Sequence, residues 1–425
     1  MLPKTLNPPA TFYRRLPFYY GWVILPIAAL AMTATLPGRT HGIGLITAPL
    51  MKDLELTEVE FGWINLWSIL LGAAFCWPIG RVLDRFGTRI VLVIVVAALG
   101  DTVVATGHVD GSWTLFIALL LTRGLGQGAL SVVSTALVGK WFVRRLTLAM
   151  GVFAILLGIG FLGSIIGMGV AIKHAGWRAA WEGMGWTLLV GLAPLCALLV
   201  RSTPESCGLD SESQLDVKST ESDRADLPLS AALLSPAFWV FTSASCLFNF
   251  TWSAVTLFNQ AILESRGFSE SDFYLVMAII TFVGLIANLL GGWLATRWPL
   301  GRLLMLGMIL LAVALQVFTW IDTDWQLIAY AVMFGISSGL VTVVHFAFHP
   351  QAFGRTHLGQ IQGLFQIFSV ISSALGPLIL AWVKAKWGYY ETLFLAIVPL
   401  ALILGLAAAL VPQPVRPLVL TEKRS

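Results

Sequence analysis

Gly80, Arg85, Trp113, Leu115, Leu146, Gly151, Phe153 and Gly176 each recur as the same residue 212 positions later, at Gly292, Arg297, Trp325, Leu327, Leu358, Gly363, Phe365 and Gly388. The offset is constant and close to half of the 425-residue chain. It also pairs equivalent points of a hydropathy pattern with six apolar spans in each half. Such a chain encodes one half-structure twice, so its fold must set two copies of that unit side by side.

Apolar residues make up 57% of the chain, charged residues only 11%, and the mean hydropathy is +0.84. Ordinary soluble domains carry about 25% charged residues, so the surrounding solvent here is lipid. Uncharged runs near the ~20 residues that cross a bilayer as a helix predict spans at 20–50, 61–80, 90–107, 113–139, 146–171, 178–200, 237–263, 273–295, 302–320, 325–349, 359–383 and 390–411. None of these runs shows the strict alternation of a barrel strand. The expected fold is an all-α polytopic membrane protein with twelve transmembrane helices in two pseudo-symmetric six-helix bundles. Residues 1–200 form the first bundle and 236–425 the second, with a short tail. Between them, 201–235 is a linker rich in Ser, Asp and Glu, of the composition that stays hydrated.

Basic residues concentrate on one set of alternate loops, with Arg81, Arg85, Arg89, Lys140, Arg144, Arg145, Arg297, Arg302 and Arg355 against Lys52, Lys173, Arg178, Arg266, Lys384 and Lys386 on the other. This bias places both termini and the linker in the cytoplasm. The net charge of +4 reflects the same bias and implies no nucleic-acid partner. The lipid bilayer and a small-molecule substrate are the expected partners, and a monomer the expected state. Cys76, Cys196, Cys207 and Cys246 show no metal or redox spacing, and no cleavable signal peptide is evident.

The segment after span 2, Gly80-Arg81-Val82-Leu83-Asp84-Arg85-Phe86-Gly87-Thr88-Arg89, resembles the loop signature G-x-L-x-D-R-x-G-R-R of the major facilitator superfamily, and it falls where the span count puts the loop between spans 2 and 3. Gly80 and Gly87 permit close helix approach and a tight turn, and Asp84 is suited to charge-assisted bonds or to a helix N-terminus. The resemblance implies that Asp84 latches the halves together on the cytoplasmic side in the outward-open state, with Gly80, Arg85, Gly87 and Arg144 in the same gate; topology-setting charge is the alternative. The second half keeps Arg297 but has Thr296 where the first has Asp84, so the latch is expected to be one-sided. The opening Pro17-Phe18-Tyr19-Tyr20-Gly21-Trp22 resembles bacterial members close to the monocarboxylate and oxalate/formate porters. It departs from the monocarboxylate signature in lacking an acid before Gly-Trp, and span 8 lacks the Arg that serves the carboxylate there.

Two arginines lie inside spans, where a charge costs several kcal/mol unless it faces protein or water. Arg123 opens the glycine-rich run Arg123-Gly124-Leu125-Gly126-Gln127-Gly128 of span 4, which resembles another motif of the family. Arg39 follows Pro37 in span 1, within Gly38-Arg39-Thr40-His41-Gly42, where the helix is expected to bend or unwind. Both sit about 4 to 6 Å outward of their span midpoints at about 1.5 Å per residue. Since spans 1, 4, 7 and 10 line the cavity in the family, Arg39 and Arg123, with His41, are candidates for an anion site using bidentate guanidinium contacts. The alternatives are an internal brace for Arg123 and an external-mouth position for Arg39. Asp101 in span 3 is a candidate proton carrier or an ion-pair partner for one Arg.

At the offset of 212, Arg39, Asp101 and Arg123 become Thr251, Val313 and Gly335, so anion binding belongs to the first half. The second half supplies neutral candidates, Asn249, Asn259 and Asn288, while His345, well inward of its span midpoint, is assigned to the gate. Trp63, Trp67 and Trp252 are cavity or interface residues. No nucleophile with a base, metal-ligand cluster or P-loop appears, so the chain is not expected to be an enzyme or an ATP-driven pump. No cofactor is expected beyond a proton as coupling ion. The expectation is a secondary active transporter of a small, monocarboxylate-like organic anion by alternating access, through proton symport or anion exchange, in a bacterial inner membrane. An efflux pump for amphipathic compounds is the alternative, and a transport-fold receptor the alternative from another class.

Overall fold

The computed structural model describes residues 18–143, 145–209 and 226–414. Eleven helices among them are long and apolar enough to cross a membrane. One, Leu146–Leu199, is 54 residues long and breaks at Gly176, whose φ of 80° and ψ of 164° lie outside helical space. Its two arms make the twelve spans expected from hydropathy. Gly388, the repeat partner of Gly176, ends the corresponding helix of the second half with φ 82°. A residue with a Cβ is strained at both places.

The first half contains α1 (Gly21–Thr33), α2 (Glu58–Ala73, continued by Cys76–Phe86), α3 (Thr88–Thr106), α4 (Ser112–Trp141), α5 (146–175) and α6 (177–199). The second contains α7 (Pro236–Glu264), α8 (Glu270–Leu294), α9 (Leu300–Phe318), α10 (Asp324–Phe353), α11 (Leu358–Trp387) and α12 (Glu391–Leu410). Within the first half α5 packs on α1, α6 on α3, and α4 on α1 and α2; within the second α10 packs on α8 and α9, and α7 on α11. The halves meet where α2 lies against α11 and α5 against α8, with α4 reaching α10 and α11. The connection from α6 to α7 marks one face of the molecule, called here the linker face, and the opposite one is the far face.

The repeat explains these two contacts. A Cβ on Gly292 would sit 3.3 Å from the Cα of Gly151, and one on Gly363 3.7 Å from the Cα of Gly80. Gly80 and Gly292 are repeat equivalents, as are Gly151 and Gly363, so one glycine-to-glycine contact is used twice. A Cβ on Gly80 would also overlap the carbonyl of Gly359. Small residues bring helix backbones close where lipid supplies no hydrophobic drive for association.

Three local departures from the expected spans matter. Span 1, expected to run to residue 50, is helical only to Thr33; a 3-10 turn at Leu36–Gly38 and an extended Arg39 (φ −106°, ψ 154°) follow, then short helices Thr40–Gly44 and Thr47–Asp53. Pro37 lacks the amide that would continue the helix. The segment from Gly80 is helix to Phe86, not loop, and the turn is made by Gly87 alone, at φ 83°. Gly163 and Gly167 of α5 face open space rather than a neighbouring helix.

Candidate functional site

Between the halves, α1, α5, α7, α10 and α11 enclose a cavity of about 160 Å³, with Arg39, Asn249, Thr342, His345, Gln366 and Ser369 as its polar lining. The broken α1 aims Arg39 here. Its Nε donates to Thr35 Oγ1 at 2.7 Å and its Nη2 to Ser131 Oγ at 3.3 Å, while the guanidinium lies 5.2 Å from the centre of the Phe161 ring. These partners are neutral, and no carboxylate among the described residues pairs with Arg39. The cavity therefore holds a cation oriented by neutral hydroxyl acceptors and an aromatic face, an arrangement that attracts an anion. Arg39 belongs to the cavity, not to an external mouth.

Arg123 is not brought into this lining. It is only 2% exposed, and its Nη1 donates to the Gly38 carbonyl at 3.1 Å and to Thr40 Oγ1 and Gln127 Oε1 at 3.4 Å, while Nη2 donates to Asn65 Oδ1 at 2.6 Å. Unwinding of α1 frees the Gly38 carbonyl, and a π-helical stretch, Arg123–Leu130, widens α4 opposite it. Arg123 thus braces α1 against α4 and α2. The equal depth expected of the two arginines does not bring them into one anion pocket, because Arg39 turns from the unwound end of α1 into the cavity while Arg123 turns from α4 onto the backbone at Gly38.

The neutral candidates separate in the same way. Asn249 lines the cavity and donates to Ser369 Oγ at 2.8 Å. Asn259 is fully buried with Nδ2 on the sulfur of Met277, and Asn288 is buried where α8 meets Gly151 of α5, so neither is a cavity residue. The side chain of His41 lies outside the described residues. His345, expected in the gate, lines the cavity with Arg39 instead. One turn towards the linker face, His349 is buried with neither ring nitrogen hydrogen-bonded among the described residues, and both imidazoles pack on Phe365, at 4.6 and 4.4 Å between ring centres.

Asp101 pairs with neither arginine. It is exposed on the outer side of α3, and its repeat equivalent Val313 is exposed at 41% on α9. Both positions occupy the peripheral face of their half, where a carboxylate reaches no cavity cation.

The linker face is closed by a latch. Asp84 Oδ1 and Oδ2 accept from the amides of Gly359 and Gln360, both at 3.0 Å, and Lys140 Nζ lies 3.4 Å from Oδ1. The acid of α2 thereby caps the N-terminus of α11, where free amides and the helix dipole favour negative charge. Arg355 extends the latch, donating from Nη1 to the Lys140 carbonyl at 2.9 Å and from Nη2 to Glu205 at 3.1 Å. Asp226 accepts from the Arg355 and Thr356 amides at 3.0 and 2.8 Å, so both described ends of the linker reach the loop before α11. At Thr296 the hydroxyl bonds to the carbonyl of Trp293 in its own chain turn, so this position supplies no carboxylate to the N-terminus of α5.

Gly80 and Gly87 shape this latch, but Arg85 is exposed and stacks over Phe86, outside the hydrogen-bonded cluster, and Arg144 lies outside the described residues. Lys140, the cation beside Asp84, is not singled out by the sequence beyond its place with Arg355 on the basic set of loops. Sequence reading also missed Gln366 and Ser369, polar residues one turn apart on a glycine-containing helix, a signal that ordinary helix packing hides.

The family model for the Major Facilitator Superfamily matches residues 27–260 and again 250–424. Monocarboxylate transporter 13 of Rattus norvegicus is 24% identical, the match covering 88% of this chain and 85% of that one. Monocarboxylate transporter 11 of Homo sapiens is 26% identical, over 88% of this chain and 79% of that one. The crystal structure of the human organic anion transporter MFSD10 (TETRAN) shares the fold with a TM-score of 0.68 at 16% identity, covering 92% of this chain and all of that one.

Proposed function

The chain belongs to the major facilitator superfamily, and we propose that it is a secondary active transporter of a small organic anion of monocarboxylate type. The observation that carries this reading is Arg39, a cation in a cavity between the halves whose other polar lining is neutral. Arg39 comes from the first half and Asn249, His345, Gln366 and Ser369 from the second, so an anion seated on the guanidinium bridges the two. A charge-assisted pair of this kind contributes about 1.5–3 kcal/mol, present only while both halves surround the ligand. Alternating access then follows from rocking about the two glycine contacts, with the Asp84 latch holding the linker face shut in the state described here.

Leaving Arg39 without a counter-ion between the halves is costly, which favours exchange of one anion for another; His345, facing the same cavity, is the candidate proton site for symport. The names of the similar proteins, monocarboxylate transporters and an organic anion transporter, agree with an anionic substrate. The excess of basic residues on the linker face supports a cytoplasmic position for that face, in keeping with a proposed monomer in a bacterial inner membrane. Uptake of radiolabelled pyruvate, lactate and acetate into proteoliposomes, with and without an imposed pH gradient and with and without internal carboxylate, tests the proposal. Accumulation driven by pH identifies symport, and uptake only with internal carboxylate identifies exchange. Absence of uptake beside export of a cationic dye would overturn the anion assignment.

A further inference from the structure

A second chamber lies directly outward of the anion cavity. Three segments pass from one space into the other: on the unwound stretch after α1, Arg39 lines the cavity and Thr40 the chamber, and on the helices α7 and α11 the pairs one turn apart are Asn249 with Ser253 and Ser369 with Ser373. Four residues of helix rise about 6 Å, so the chamber sits one turn nearer the far face. Its volume is about 460 Å³, against about 160 Å³ for the cavity below. Its wall is largely apolar, formed by Trp63, Leu66, Leu257, Phe258, Pro377 and Leu378, and among the described residues it carries no charged side chain. Trp63 and Leu257 are more than half exposed, so the chamber is open rather than sealed.

We infer that the two spaces form one composite site for an amphipathic carboxylate, with the carboxylate on Arg39 and an aromatic or branched hydrocarbon body in the outer chamber. This rests on the anion reading of the lower cavity and narrows it to a substrate class. A two- or three-carbon acid uses only the lower space and leaves the apolar wall wet. A phenylalkanoate places its ring against that wall, and burial of one ring tightens binding by about ten- to a hundred-fold. The position of Arg39 at the junction, beside Thr40 on the chamber wall, sets the polarity: charged end inward, apolar end outward.

Gly62 permits a direct test. It lines the chamber, and a Cβ there would meet nothing within 4 Å, so the side chain of Gly62→Trp starts into open space and takes up chamber volume. Dissociation constants of acetate, phenylacetate and 3-phenylpropionate are measured with the purified full-length protein in detergent, with phenylacetamide as the neutral control. The expected result is that 3-phenylpropionate binds at least ten-fold more tightly than acetate, and that Gly62→Trp removes this advantage while acetate binding stays within two-fold. Ser373→Phe, which fills the chamber from α11, is expected to act alike and covers the case in which one variant folds poorly. Equal affinity for acetate and 3-phenylpropionate in the wild type, or equal weakening of both by the filling variants, would overturn the composite site. Phenylacetamide binding as tightly as phenylacetate, with sensitivity to Gly62→Trp retained, would instead remove the anion reading and leave the chamber, so the two failures are separable.

Discussion

Asp84 of α2 caps the N-terminus of α11 by accepting the Gly359 amide at 3.0 Å across the boundary between the two halves. The same carboxylate holds Gln360 and sits beside Lys140, and the Asp84 and Lys140 side chains are only 7% and 8% exposed. A largely buried acid that stabilises a helix end belonging to the other half couples closure of the linker face to its own hydrogen bonds. Separating the halves breaks all of them together.

Asp84→Asn is therefore expected to favour opening of the linker face and to slow transport, because the amide loses the charge that Lys140 and the α11 dipole require. Thr296→Asp should not restore the rate, since that position lies on α8, away from the α11 amides. Purified Asp84→Asn should bind substrate as the wild type does. Titration calorimetry beside a proteoliposome rate checks both, and lost affinity in well-folded protein would give Asp84 a different role.

The glycine contacts make a second prediction. Gly80→Ala places a methyl group on the Gly359 carbonyl, so the linker face should close incompletely and transport should fall several-fold or more. Gly163→Ala and Gly167→Ala meet open space and are expected to leave transport unchanged. Labelling of a cysteine introduced on the linker side of the cavity reports closure; equal labelling in Gly80→Ala and wild type would show that the contact is not limiting.

Arg39 and Arg123 should fail differently. Arg39→Ala is expected to weaken carboxylate binding by about ten- to a hundred-fold, with Arg39→Lys intermediate because an ammonium lacks the planar fork. Arg123→Ala should act first on stability, since each charge-assisted bond lost to Gly38 or Asn65 costs about 1.5–3 kcal/mol. Thermal unfolding in detergent beside binding isotherms separates the two. A large loss of melting temperature in Arg39→Ala with unchanged affinity would reverse the roles.

Asp101→Asn is expected to leave both exchange and pH-driven accumulation intact, because the residue faces outward from α3 and contacts neither arginine. Accumulation abolished with exchange preserved would restore Asp101 as the proton carrier and displace His345 from that position.

Much of this was legible in the residues alone. A fixed offset of 212 and twelve apolar runs specify a doubled helical bundle, because in lipid every backbone amide must be satisfied within its own helix and hydropathy then reads directly as topology. Pro37 announced the break in span 1, and the missing acid at Thr296 announced a one-sided latch. Both are local properties of the chain, carried by a ring without an amide and by a side chain without charge.

What the tertiary structure alone decided is direction. Depth along a span follows from counting residues, but the face from which a side chain leaves depends on how each helix is rotated against its neighbours, and in a uniformly apolar span no polar stripe marks that rotation. Hence Arg39 and Arg123, at equal depth, divide into cavity cation and brace, Asp101 falls on the periphery, and His345 moves from the gate into the cavity. The partners of Asp84 were hidden for a related reason. They are backbone amides of Gly359 and Gln360, which every sequence possesses, and only the packing of α2 on α11 selects those two.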